Sequence, residues 1–240
     1  MQQAQSALGI ASILFLAWAL SENRRAFPFR TVLSGLALQG VLALVLLKLP
    51  PVRGALFSLN GVVDALMEAT RAGTGFVFGF VGGGEIPFAV TNSHALGSFA
   101  FQILPLVIVI SALAALLWHW RVLPVIVRAF AFVLRKLMGI GGAVGLGSAA
   151  TFFLGMIEAP LLIRPYLPKL SRSELFVLFT VGLSTVAGTV FVLYASILEP
   201  VVPGALGHIL VASLLSLPAG ILIARIMVPG SEATESDASE

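Results

Sequence analysis

The sequence predicts an all-α polytopic membrane protein of about five transmembrane helices, two interfacial helices and one re-entrant helical hairpin. Of its 240 residues, 58% are hydrophobic and only 10% are charged, against about 25% charged in a soluble domain. Mean hydropathy is +1.04, which rules out a surface that meets water on every side. Several apolar stretches approach the ~20 residues that cross a bilayer as helix, and none alternates with a strand's period of two.

The first segment runs from about Gln5 to Leu20 and stops at Ser21-Glu22-Asn23-Arg24-Arg25. It lacks a preceding basic region and a following small-residue cleavage site, so it is read as a span rather than a cleaved signal. The second follows Arg30 and ends at Pro50-Pro51, where proline interrupts the helix. Between Arg53 and Arg71, Leu56, Leu59, Val62, Val63, Leu66 and Met67 recur at helical spacing, with Asp64, Glu68 and Arg71 opposite. That amphipathic profile predicts an interfacial helix over about 53–71. Glycines from Gly73 to Gly84 make the next stretch a poor continuous helix.

A third span is expected from Ser98 to Trp120, closing on Trp118-His119-Trp120-Arg121, an aromatic and basic cluster typical of the headgroup level. Pro124 to Met138 reads as a second, basic interfacial helix. Residues 139–170 are apolar but interrupted by seven glycines and prolines up to Pro160 and again at Pro165. The stretch is too broken for one span and too apolar for a loop. It is read as a re-entrant hairpin with its tip at Gly155-Met156-Ile157-Glu158-Ala159-Pro160. A fourth segment, 174–198, has a weak middle at Gly182–Thr189, either locally unwound or closely packed through small residues. A fifth runs over 204–228, and the acidic tail 230–240 is expected to be disordered.

The net charge of +3 reflects topology, not nucleic-acid binding. With the first loop inside, 11 of 14 Lys and Arg lie on the cytoplasmic side, leaving Lys48, Arg53 and Arg71 outside. This predicts a multi-pass protein of the plasma (inner) membrane with an outside N-terminus and a cytoplasmic C-terminal tail. Absence of cysteine excludes disulfides and thiolate metal sites. His94, His119 and His208 lack partners at ligand spacing, so neither a metal site nor any other cofactor is expected. The sequence also offers no catalytic dyad, and the chain is not expected to be an enzyme.

Ten of the 11 acidic residues fall in loops, interfacial helices, segment ends or the tail; Glu158 alone is flanked by apolar sequence at expected membrane depth. A carboxylate there costs several kcal/mol unless protonated, paired or hydrated, which marks it as a functional residue. The competing reading pairs Glu158 with Arg164 to pin the hairpin. Hydroxyls of Thr151, Ser184 and Thr185, with nearby carbonyls, suit a hard monovalent cation. Each hydroxyl taken alone more often bonds back to its own helix.

Gly155–Leu167 followed by Ser171-Arg172-Ser173-Glu174-Leu175-Phe176, and Gly182–Thr189 ahead of Tyr194-Ala195-Ser196, resemble the concentrative nucleoside transporters. So do Gly73–Gly79, Phe101-Gln102-Ile103-Leu104-Pro105, Ser21–Arg25 and Ile226-Met227-Val228-Pro229. The resemblance implies a sodium- or proton-coupled symporter importing nucleosides, homotrimeric, with a moving domain that contains two re-entrant hairpins. It places Glu158, Met156, Ile157 and Val190 at the substrate and Thr151, Leu154, Thr185 and Val186 at the cation. The family's hairpin usually carries Gln and Thr where this chain has Met156 and Ile157, which points to a changed, less polar substrate. Its cation-site Asn matches Thr151, a swap that favours proton coupling through Glu158. Residues 1–121 are expected to form a scaffold-type region and 122–229 the first half of a transport domain. The family's second hairpin lies beyond the matched region, so a fragment, a partner chain supplying the C-terminal half, or a non-transporting remnant are alternatives.

Overall fold

Among the residues that the computed structural model describes, 2–91, 97–198 and 201–230, every regular element is helical. The helices are α1 (Gln2–Ala19), α2 (Phe29–Lys48), α3 (Pro50–Phe78), α4 (Leu104–His119), α5 (Val122–Met138), α6 (Gly142–Leu154), α7 (Glu158–Leu162), α8 (Arg172–Ser184), α9 (Gly188–Leu198) and α10 (Ala205–Met227). A one-turn π-helix, Phe99–Ile103, leads into α4. By length and composition Phe29–Lys48, Phe99–His119 and Ala205–Met227 can cross a membrane, and Gln5–Ala19 and Gly142–Leu154 are shorter apolar helices. Large apolar side chains such as Leu8, Phe15, Leu33, Leu44 and Ile108 lie exposed along these helices. Water does not tolerate such surfaces, and lipid does. The chain is a multi-pass helical membrane protein. His94 and nearly all of the tail 230–240 fall outside the described residues.

The expected segments coincide closely with the helices, with one correction. The glycine run does not end the helix that begins near Arg53, because α3 continues without interruption from Pro50 through Gly73 to Phe78. Its end is then folded back. Thr74 Oγ1 donates toward Gly82 O at 2.8 Å, and Gln102 Nε2 donates to Val81 O at 3.0 Å. A Cβ on Gly82 would stand only 2.1 Å from Thr74 O. The glycines therefore serve close backbone approach after the helix, a use that composition does not separate from helix breaking.

The chain divides into two units, each discontinuous in sequence: 1–45, 124–187 and 212–240 in the first, 46–123 and 188–211 in the second. In the second, Val63, Leu66 and Met67 of α3 pack on Leu106 and Ile110 of α4 and Val192 of α9.

In the first unit α10 lies centrally, with Leu217, Ile221, Leu222, Ala224 and Ile226 almost wholly buried. α2 meets it through Gly35, whose missing side chain leaves room for Leu222 and Met138. Pro218 inside α10 removes one helical donor, and nearby Gln39 Nε2 donates to Leu215 O at 3.2 Å. α5 is amphipathic, burying Val127, Ala131, Leu134 and Met138 and exposing Arg128, Arg135 and Lys136. One end of this unit is tied by polar bonds. Glu22 N donates to Met227 O (2.9 Å), Arg172 pairs with Glu22 (2.6 Å), and Arg225 donates to Gly139 O (3.5 Å). The first loop, the α5–α6 junction, the start of α8 and the end of α10 therefore share one end.

Candidate functional site

Helix α6 is buried along nearly its whole length, from Ala143 to Phe152 apart from Leu146. Small residues allow this. A Cβ on Gly147 would stand 2.6 Å from Leu178 of α8 and 2.9 Å from Ile163 on the returning arm. The helix ends at Gly155, whose φ of 103° a side chain would strain. Gly155 O then accepts from Ala159 N at 3.1 Å, and the chain turns through Met156 and Ile157 into the short α7, which opens on Glu158. The hairpin is thus two helical arms reversing at Gly155.

The fourth segment is both unwound and closely packed. α8 ends at Ser184, Thr185 is extended (φ −109°, ψ 154°), and α9 resumes at Gly188. One turn before the break, Gly182 faces Met156 and Thr151, at 3.1 Å and 3.9 Å from where its Cβ would be. Within the break, Ala187 Cβ lies 3.2 Å from the corresponding point of Gly155, and Glu158 Oε2 lies 3.0 Å from it. Gly155 is therefore the meeting point of the Glu158 carboxylate and the unwound segment.

Helix ends explain what this junction attracts. The last carbonyls of a helix lack partners within it and carry partial negative charge. The C-terminal ends of α6 and α8 lie at this junction, and α7 begins beside them at Glu158, so carbonyl oxygens and backbone N–H groups are both presented there. Three hydroxyls border the junction. Thr151 Oγ1 donates to Gly147 O (2.8 Å), Thr185 Oγ1 to Val181 O (2.9 Å) and Ser184 Oγ to Val181 O (3.1 Å). Each hydrogen points into its own helix, which leaves lone pairs of the oxygens for another ligand. Leu154 and Val186, whose carbonyls flank the two ends, are half-buried.

Glu158, Met156 and Ile157 are all exposed, the latter two at 51% and 68%. The ion pair of the competing reading, between Glu158 and Arg164, is not formed among the described residues, and both side chains are exposed. Burial also corrects the ranking of carboxylates. Glu174, read from the sequence as a segment end, is 1% exposed. It completes a capping box at the start of α8, accepting from Ser171 N at 2.9 Å. Val190, the remaining expected substrate residue, is half-buried in α9, in the second unit. Sequence reasoning missed Ser213 of α10. Its Oγ accepts from Val186 N at 3.2 Å, and nothing local in the sequence pairs those positions.

A helical membrane protein with a re-entrant hairpin set against a broken helix has the architecture of a secondary transporter. Residues 8–81 match the family model "Na+ dependent nucleoside transporter N-terminus", and residues 100–201 match "Nucleoside recognition". The chain is 32% identical to "Nucleoside permease NupC" of Helicobacter pylori over 97% of its own length and 54% of that protein's. It is 30% identical to "Sodium/nucleoside cotransporter 1" of Rattus norvegicus, covering 96% of the chain and 33% of that protein. The solved "Structure of CNTnw in an inward-facing substrate-bound state" superposes with a TM-score of 0.85 at 30% identity, over 99% of this chain and 56% of that one. The chain belongs to the concentrative nucleoside transporter family. It spans about half the length of the bacterial relatives it matches. These relatives bear the names of permeases and cotransporters, not enzymes.

Proposed function

We propose that this chain carries the first-hairpin half of a cation-coupled importer of nucleosides, with Glu158 as its substrate-contacting carboxylate. The observation that carries this reading is the junction at Gly155, where Glu158 Oε2 and Ala187 both stand within 3.2 Å of one point. Exposure of Glu158 supports it, since a substrate-binding carboxylate must be reachable. A carboxylate accepts from ribose hydroxyls or an exocyclic amine, and the exposed Met156 and Ile157 offer apolar contact to a base. Thr151 and Thr185 hydroxyls with Leu154 and Val186 carbonyls form the cation site, and Val190 belongs to the substrate side.

Sodium is the coupling ion in this reading, supported by the hydroxyl oxygens of Thr151 and Thr185 at the junction and by the name of the matching N-terminal family model. Residues 1–121 act as scaffold and 122–229 as the first half of the transport domain, within a homotrimer whose remaining contacts come from a second hairpin. The basic end of the first unit faces the cytoplasm, which puts the N-terminus outside.

Uptake of radiolabelled uridine into native membrane vesicles tests the reading. Half-saturating sodium should fall in a measurable range at fixed pH. Glu158→Gln should lower uptake at limiting uridine by ~10- to 100-fold, the worth of one hydrogen bond to a charged group. Unchanged uptake in the variant would remove Glu158 from the substrate site. Uptake that follows a pH gradient and ignores sodium would replace sodium by protons.

A further inference from the structure

A buried hydroxyl outside the proposed site reaches its break. Ser213 of α10 is 4% exposed, and its Oγ stands 3.2 Å from Val186 N, which donates to it, and 3.4 Å from Val186 O, toward which the hydroxyl points its own hydrogen. Residues 185–187 have left α8 and not yet entered α9; Thr185 N still donates back to Val181 O at 3.1 Å, but Val186 N lies beyond the reach of that last turn and takes its partner from another helix. The other hydroxyls of the junction do not supply it, since Thr151, Ser184 and Thr185 all donate into their own helices. Ser213 instead reaches across from a different helix and meets both polar groups of one peptide residue.

Its position is held from two turns further along the same face of α10. At Gly220 a Cβ would lie 2.7 Å from Ser184 Oγ and 3.3 Å from Val181 Cα. That close approach seats α10 against the end of α8 and brings Ser213 level with the break.

We infer that Ser213 is the positioning residue of the cation site, fixing the Val186 peptide so that the oxygens of Val186 and Thr185 face one point. This rests on the cation site proposed above. Without the hydroxyl, Val186 N–H loses its partner, and the break relaxes to satisfy it. Ligand alignment for the cation is then lost, while Glu158, on the other arm of the junction, keeps its geometry.

The test uses chromosomal variants in native membrane vesicles and measures uridine uptake against sodium, then against uridine at saturating sodium. For Ser213→Ala the half-saturating sodium concentration is expected to rise about tenfold, as befits one lost hydrogen bond, with KM for uridine at saturating sodium changed less than twofold. Ser213→Thr, which keeps the hydroxyl, should restore the sodium response, and the similarly shaped Ser213→Val should not. The Thr and Val pair decides the matter if the Ala variant fails to reach the membrane. Equal sodium responses in the Thr and Val variants would reduce Ser213 to a packing role and overturn the inference. So would parallel shifts in sodium and uridine dependence. A wild-type protein whose uptake ignores sodium overturns the cation site itself, a result distinguishable because it precedes any substitution.

Discussion

At the scale of single residues, glycines divide into those that make room and those that do not. Gly73 lies inside α3 with nothing within 4 Å of a prospective Cβ. Gly73→Ala should therefore raise stability by about 0.5–1 kcal/mol, the helix-propensity gain. Gly82, nine residues on, would place its Cβ 2.1 Å from Thr74 O. Gly82→Ala should break the fold-back of α3 and lower the melting temperature in detergent, so the two variants shift it in opposite directions. Similar shifts from both would contradict the packing described. Gly155 combines a φ of 103° with neighbours at 3.0 and 3.2 Å. Alanine there should cost about 1–3 kcal/mol and depress uptake further than stability alone explains, because it moves Glu158. By contrast Arg172→Ala, which breaks an exposed pair with Glu22, should cost less than ~1 kcal/mol.

At the scale of elements, the breaks matter more than the helices. The hairpin at Gly155 and the gap between α8 and α9 were both legible in the sequence, because glycine and proline interrupt apolar runs at 139–170 and two glycines and three hydroxyls weaken 182–189. What those breaks pack against was not legible. The glycine run over 73–84 reads as a helix breaker, yet Gly75, Gly82 and Gly84 serve close backbone contacts, which only the folded chain brings together. Ser213 went unread for the same reason, since it pairs with a peptide 27 positions away. Glu174 differs: its capping box, Ser171-Arg172-Ser173-Glu174, is a local signature, and only its burial depends on tertiary packing. Glu158 was found by its apolar flanks, and the structure changes the reason for its interest from depth to exposure beside a break.

At the scale of the whole molecule, topology and the site stand or fall separately. The chain has no cysteine, so single introduced cysteines report their side of the membrane without a background. Ala26→Cys should react with an impermeant maleimide only from the cytoplasmic face and Ser58→Cys only from outside. The reverse pattern would invert the orientation while leaving the site untouched. The central claim, that Glu158 at the hairpin tip contacts the nucleoside in a cation-dependent site, is tested most directly by equilibrium binding of radiolabelled uridine to native membranes, with and without sodium, in the wild type and in Glu158→Gln. Binding should depend on sodium in the wild type, with a dissociation constant ~10- to 100-fold weaker in the variant. Equal affinity in the two would contradict that claim.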